Sequence, residues 1–366
     1  MDFFNPQIHL WYSLFKRDLP WRNTRNAYYI WLSEIILQQT RIDQGISYYL
    51  KFIEEFPTIH HLAEASEDQV LKLWQGLGYY SRARNLHYTA KYLVENQSGQ
   101  FPSDYFTILK LKGIGEYTAS AIASISFGLA HATVDGNVYR VLSRFFGITD
   151  PIDTNSGKKR FHDLASELIQ GTDPGMHNQA IMEFGALQCT PKKPNCPDCP
   201  LQEKCFAFGA GKVGELPVKQ NKTRQRDRYF NYLVFATTEC TWLRKRTGND
   251  IWKNLFEFPM IETSEKTDPT YLFTQKDFLD FGNLLEIVVE NVSKWKVHIL
   301  SHQRIYYRFI LFGLPDKSIL PGNLFPVNKK DIYNFAVPKL LESYLNENGG
   351  NGLFVRQNEG FITNFG

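Results

Sequence analysis

Residues 111–118 read Leu111-Lys112-Gly113-Ile114-Gly115-Glu116-Tyr117-Thr118. Glycines at this spacing let the backbone turn tightly and approach a phosphate, with the amides of a following helix N-terminus pointing outward. A Gly-x-Gly between helices is also what an ordinary turn looks like, so its surroundings decide its meaning. Twenty residues after Gly115 stands Val134-Asp135-Gly136-Asn137-Val138, with Arg140 and Arg144 in the helix beyond. Farther on, four of the five cysteines follow as Cys189-x6-Cys196-x2-Cys199-x5-Cys205. Thiolates so concentrated select an iron–sulfur cluster or zinc, and structural zinc usually takes two close pairs rather than one.

Upstream, Trp31-Leu32-Ser33-Glu34-Ile35-Ile36-Leu37-Gln38-Gln39-Thr40 sets one carboxylate in an otherwise apolar helix. An unpaired charge there is costly. Either Glu34 reaches the helix surface or accepts a structural hydrogen bond, or it is an acid of raised pKa that protonates a leaving group near neutral pH.

At 366 residues, 43% hydrophobic and 22% charged, the chain has the length of two domains and a globular composition. Residues 1–210 read as many short helices. Ser66-x-x-Gln69 has the form of a capping box ahead of Val70, Leu71, Leu73 and Trp74. The stretch from Tyr28 to Phe56 carries apolar residues at helical spacing and is closed by Pro57, and Tyr117–Phe127 suits a tightly packed buried helix. From Tyr229 the texture changes: Tyr229–Phe235, Glu286–Val292 and Ile305–Phe312 read as strands, and Lys330–Leu345 as a late helix interrupted by Pro338. The tail after Asn346 is expected to be mobile.

The overall charge of +3 says little about partners, but its distribution says more. Between Thr190 and Arg228 nine Lys and Arg stand against four acids. Such a patch suits phosphate contact, and equally a solvated linker. No run of 18 apolar residues suggests a membrane span, and Met1-Asp2-Phe3-Phe4-Asn5-Pro6 lacks the form of a signal peptide. Cytoplasmic residence, reduced cysteines and no membrane partner are the expectations.

The order of hairpin, carboxylate and four cysteines resembles the endonuclease III superfamily of DNA glycosylases. The helix around Glu34, with Gly76-Leu77-Gly78-Tyr79-Tyr80-Ser81-Arg82-Ala83-Arg84-Asn85-Leu86, is highly similar to adenine DNA glycosylases of the MutY type. The similarity covers residues 1 to about 210 and continues more weakly to the end. It implies an all-α helix-hairpin-helix glycosylase domain over 1–210, with the helix-hairpin-helix at about 104–127 and a [4Fe–4S] loop at 189–205 held by Cys189, Cys196, Cys199 and Cys205. A basic linker over 211–228 and an α+β Nudix-like domain over 229–366 follow. The Nudix-like match rests on Leu243-Arg244-Lys245-Arg246 and Ile251-Trp252-Lys253-Asn254-Leu255-Phe256-Glu257-Phe258-Pro259. No acidic Arg-Glu-x-x-Glu-Glu motif follows, so pyrophosphate hydrolysis is not expected.

The resemblance also assigns roles. Glu34 matches the acid that protonates adenine, and Asp135 the carboxylate that stabilises the sugar cation, with Tyr117 and Asn137 hydrogen-bonding around them. Trp21, Arg22, Leu37 and Gln179 match residues lining the adenine pocket. Gln39 and Tyr79 match residues inserted into the duplex, and Gly113 and Gly115 belong to the phosphate-reading hairpin. The family's Phe-Ser-His loop for 8-oxoguanine corresponds to Leu300, Ser301 and His302, where leucine wedges between bases but does not stack. Glycosylases that also cut the strand carry a lysine where this chain has Tyr117, and a phenol forms no imine. The implied activity is therefore monofunctional removal of adenine opposite 8-oxoguanine or guanine in double-stranded DNA, by a monomeric, nucleoid-associated enzyme of base excision repair. A related glycosylase acting on mismatched thymine and a non-catalytic DNA-damage binder are the alternatives.

Overall fold

The computed structural model describes residues 2–221, 225–281, 288–320 and 322–348. The chain divides into two compact units, one of residues 1–65 with 84–222, the other of residues 66–83 with 223–366.

The first unit is helical. It is built from α1 (Phe4–Phe15), α2 (Ala27–Leu37), α3 (Ile42–Glu55) and α4 (Ile59–Glu64). After α5 (Glu67–Leu73), which belongs to the second unit, come α6 (Ser81–Gln97), α7 (Tyr105–Leu109), α8 (Glu116–Phe127), α9 (Gly136–Phe146), α10 (Asn155–Leu168), α11 (Pro174–Leu187) and the single turn α12 (Phe206–Gly209). The apolar stretch from Tyr28 to Phe56 is divided between α2 and α3, because Gln39 takes φ of 56°, a left-handed conformation that ends the helix. Helix α2 is apolar nearly all round and is buried from Ile30 to Ile36, Glu34 included. The Ala and Ser side chains of α8, buried from Thr118 to Ile125, let α2 and α11 pack closely on it. Phe4, Ile8, Trp11, Val141, Phe161 and Phe184 anchor a core in which α1, α9, α10 and α11 meet, and Cys189 and Cys199 pack against its edge.

The second unit is a mixed sheet with helices. Its strands are β1 (Arg226–Ala236), β2 (Cys240–Lys245), β3 (Phe256–Glu257), β4 (Met260–Thr263), β5 (Val288–Val292), β6 (Lys296–Ile299), β7 (Gln303–Gly313) and β8 (Phe325–Asn328). Strands β1 and β7 run parallel in register from Arg226↔Gln303 to Ala236↔Gly313, and β4, β5 and β6 add antiparallel neighbours. One sheet face carries a core of Leu233, Phe235, Ile310 and Phe312 beneath the short helices α13 (Pro269–Phe273) and α14 (Lys276–Leu279). On the other, Phe309 stacks on Tyr344 of α15 (Lys339–Glu347) at 3.8 Å between ring centroids.

Three expectations change. The capping box at Ser66 and Gln69 forms as read, yet its helix groups with the sheet unit rather than with residues 1–65. Asp68 pairs with Lys245 at 2.6 Å, Lys72 Nζ donates to the Phe335 carbonyl at 3.2 Å, and Gln75 Nε2 donates to Glu342 at 3.0 Å. The linker is shorter than residues 211–228: Ile152 N donates to the Val218 carbonyl and the Gln220 and Asn221 amides donate to Asp153, while β1 has begun by Arg226. The late helix starts only at Lys339, since Pro338 lacks an N–H and keeps the residue before it extended. Glu286 and Ile287 of the expected second strand, and the tail from Gly349, lie outside the described residues.

Candidate active site

A cavity of about 670 Å³ opens in the helical unit, lined from α2, α8, α9, α11 and the loops beside α2. It gathers Glu34, Asp135, Tyr117 and Asn137 with Trp21, Arg22, Leu37, Gln39, Gly115 and Gln179.

Glu34 is 8% exposed. Burial lifts its carboxyl to about 7; a hydrogen bond with Tyr117 pulls it down and the charge of Asp135 pushes it up. Tyr117 is half-buried, and burial followed by the two carboxylates holds its phenol well above the ordinary range, so it is a neutral donor. Its hydroxyl also lies 3.3 Å from Met182 Sδ.

Asp135 is the N-cap of α9. Its Oδ1 accepts the backbone N–H groups of Asn137 and Val138, both at 2.8 Å, and its Oδ2 accepts Asn137 Nδ2 at 2.7 Å. Burial raises the Asp135 pKa and these contacts oppose the rise. All three donors are N–H groups, which favour the ionised acceptor. Asn137 is held in its turn, because Oδ1 accepts from Arg140 Nη2 at 2.8 Å. A glycine at 185 permits this approach, since a Cβ there would stand 2.6 Å from Asn137 Cβ.

Arg140 and Arg144 are buried rather than turned to solvent. Arg140 Nε donates to the Cys189 carbonyl at 2.7 Å; Arg144 Nη1 donates to the Thr190 carbonyl at 2.8 Å and lies 3.4 Å from Cys189 Sγ. The two guanidinium groups thus tie the cysteine loop to α9. Cys189, Cys196, Cys199 and Cys205 are free and half-buried. Among the described residues no group of three or more His, Cys, Asp or Glu is disposed to hold a metal ion. The four thiols are nonetheless neighbours: burial, then Cys189, Cys205 and Cys196, raise Cys199 to about 11.

The sequence reading missed Glu183. Its buried carboxylate accepts from Arg17 Nη2 at 2.6 Å and Arg22 Nη2 at 2.7 Å, and from Arg17 N at 3.0 Å. Burial raises its pKa, but these donors outweigh it and set about 2. Arg22 is therefore committed to a partner inside the protein. Glu183 falls four residues after Gln179 in α11, a spacing that places both on one helix face.

Of the two hairpin glycines, Gly115 lines the cavity and Gly113 does not. Gly113 has φ of 80° and a Cβ there would lie 2.6 Å from Asn85 Cβ, so the hairpin needs glycine at that point. Gly115 has an extended φ of −95° and caps α8, with nothing near a Cβ built on it. Its glycine is thus needed for neither the turn nor local packing. In the sheet unit, the Tyr79 hydroxyl is hydrogen-bonded to Ser301 Oγ. Leu300 N donates to the Gln303 carbonyl at 2.8 Å in the β6–β7 turn, and Ser301 and His302 are exposed.

A family profile described as the HhH-GPD superfamily base excision DNA repair protein matches residues 32–167, and the NUDIX domain profile matches residues 231–347. An adenine DNA glycosylase of Buchnera aphidicola subsp. Baizongia pistaciae is 36% identical over 340 residues, covering 90% of this chain and 91% of that protein. The chain belongs to the adenine DNA glycosylase family. Another member, the adenine DNA glycosylase of Homo sapiens, is 44% identical over 214 residues, 56% of this chain and 39% of that one. Among solved structures, a thermostable thymine-DNA glycosylase superposes with a TM-score of 0.53 at 30% identity, covering 57% of this chain and 95% of that chain. The fold is thus a helix-hairpin-helix glycosylase domain followed by a Nudix-like domain. Among the described residues no helix is long and apolar enough to cross a membrane.

Proposed function

We propose that this enzyme releases adenine from duplex DNA by hydrolysing its N-glycosidic bond, with adenine opposite 8-oxoguanine or guanine as the substrate. The observation that carries the reading is Glu34: a buried carboxyl, held near 7, opening on a cavity that also holds a second carboxylate. The base leaves the stack to reach such a cavity. Glu34 protonates N7 and makes adenine a competent leaving group. Asp135, kept ionised by its N–H donors, stabilises the oxocarbenium-like sugar or captures it covalently until water attacks. Tyr117 orients Glu34 through a hydrogen bond, and Asn137 donates to Asp135 and favours its ionised form.

Trp21, Arg22, Leu37 and Gln179 surround the base, and Gln39 and Tyr79 fill the gap left in the duplex. The Gly113–Gly115 hairpin takes backbone phosphates. Leu300, Ser301 and His302 meet the base opposite. The four cysteines suit a [4Fe–4S] cluster: the donors are all sulfur, mutually close, and on a loop anchored by Arg140 and Arg144. When bound, the cluster supplies a cross-link between loop and domain; no catalytic step passes through it. The enzyme acts as a monomer on the chromosome in the cytoplasm.

Removal of mismatched thymine is a second reading, supported by the likeness to a thymine-DNA glycosylase over the helical unit. Single-turnover base release from duplexes holding A:8-oxoG, A:G, A:T and T:G tests both. Release is expected from the first two; no adenine from A:8-oxoG overturns the assignment, and thymine from T:G favours the second.

A further inference from the structure

Tyr12 lies in the first helix, outside the motifs that mark the active site, and it is 5% exposed. Its hydroxyl donates to Gln179 Oε1 at 2.9 Å. Gln179 lines the cavity. An amide side chain has one acceptor end and one donor end, and rotation by half a turn exchanges them. With Oε1 engaged by a phenol, the NH2 end of Gln179 and the second Oε1 lone pair are what remain for a bound base.

That arrangement has one chemical consequence for a purine. With N7 left to Glu34, the remaining edge of adenine is N1 with the exocyclic amine, which glutamine reads by donating to N1 and accepting from the amine. Guanine presents N1–H and O6 along that edge, which oppose both ends of the amide in this orientation. An unanchored side chain would spread over several rotamers and present these groups to a base in no fixed place. Tyr12 has little freedom to release it: the ring is clamped by Arg22 at 5.5 Å and Lys16 at 5.4 Å from its centroid, and Glu183 on the same helix as Gln179 holds Arg22.

We propose that Tyr12 is a positioning residue for base recognition: through its hydroxyl it anchors the Gln179 side chain at the cavity wall, with Oε1 on the phenol and the NH2 end left for the base. This inference rests on the adenine reading above. Tyr12 touches no reacting atom, and its effect passes wholly through Gln179.

A double-mutant cycle on the full-length enzyme tests this, with single-turnover adenine release from an A:8-oxoG duplex as the readout. Tyr12→Phe keeps the ring and removes one neutral hydrogen bond, so release is expected to slow by roughly three- to tenfold. In the Gln179→Ala background the same change is expected to have no further effect. Equal slowing in both backgrounds, or none in the first, overturns the inference. Should Tyr12→Phe fold poorly, 3,5-difluorotyrosine at position 12 retains ring and hydroxyl. Its more acidic phenol stops donating at lower pH, so the variant's rate divided by the wild-type rate, in which the Glu34 limb cancels, is expected to fall as pH rises, and a ratio constant with pH overturns the inference. Failure of wild-type enzyme to release any adenine would instead overturn the function on which the inference depends.

Discussion

Asp135 stands close enough to Glu34 that its charge adds to burial in holding the Glu34 carboxyl protonated up to about 7. Two acids of one cavity thus occupy different states near neutrality: Glu34 with its proton, and Asp135 bound by N–H donors. Because the reaction needs the protonated form of Glu34, single-turnover base release is expected to fall as pH rises through about 7, by about tenfold per unit beyond it. Tyr117→Phe removes the hydrogen bond that lowers Glu34, so the fall should move to higher pH. A downward move, or a flat wild-type profile from about pH 6 to 9, would refute the assignment.

Glu34 is costly to the fold when ionised. Its folded pKa is raised, so its stabilising contribution is complete below the unfolded value of about 4.5 and is lost as pH rises through about 7. Glu34→Gln should therefore raise stability at pH 8 by up to about 2–3 kcal/mol and change little at pH 5. The same substitution should slow base release at least about a hundredfold. Thermal unfolding at the two pH values, beside the rate, checks both halves.

Glu183 behaves in the opposite sense. Its pKa is depressed to about 2, so its contribution is present above about 4.5 and disappears as pH falls toward 2. Glu183→Gln leaves Arg17 and Arg22 without their shared carboxylate, 2% exposed in the native fold. A loss of about 2–4 kcal/mol near pH 7 is expected. Denaturant unfolding should show a weaker acid dependence in the variant than in the wild type.

Tyr117 has no amine to attack the sugar. Borohydride added during turnover should trap almost no covalent enzyme–DNA adduct. Stoichiometric trapping would mean that another residue supplies a lyase function.

The cysteine loop should carry iron and acid-labile sulfide in equal amounts, with visible absorbance. Cys199→Ser is expected to lose most of both and to loosen residues 189–205 toward proteolysis. Zinc without sulfide in the purified wild type would replace the cluster with a structural zinc site.

Much of the active site is legible in the primary structure because the chemistry depends on residue identity at local spacing. Glu34 is conspicuous as a charge in an apolar helix, Asp135 as a carboxylate twenty residues beyond a glycine hairpin, and Tyr117 as a phenol where a lysine would change the reaction. Glu183 gave no such signal: a glutamate on a helix is ordinary until two arginines from the chain's other end close on it. Arg140 and Arg144 carry no local sign of their role, and only the packed fold spends their donors on the Gly185, Cys189 and Thr190 carbonyls. Residues 66–83 kept their local capping box, while their membership of the sheet unit rests on partners more than a hundred residues away.

The division has a physical basis. Helix starts, turn glycines, strand alternation and the inventory of acids and thiols follow from short-range sterics and side-chain chemistry, and the hairpin of Gly113 and Gly115 belongs to that class. The proton on Glu34, the charge on Asp135, the orientation of Gln179 and the commitment of Arg22 to Glu183 do not. Each is set by how much water is excluded and which distant donor arrives, quantities that exist only once the helices have packed.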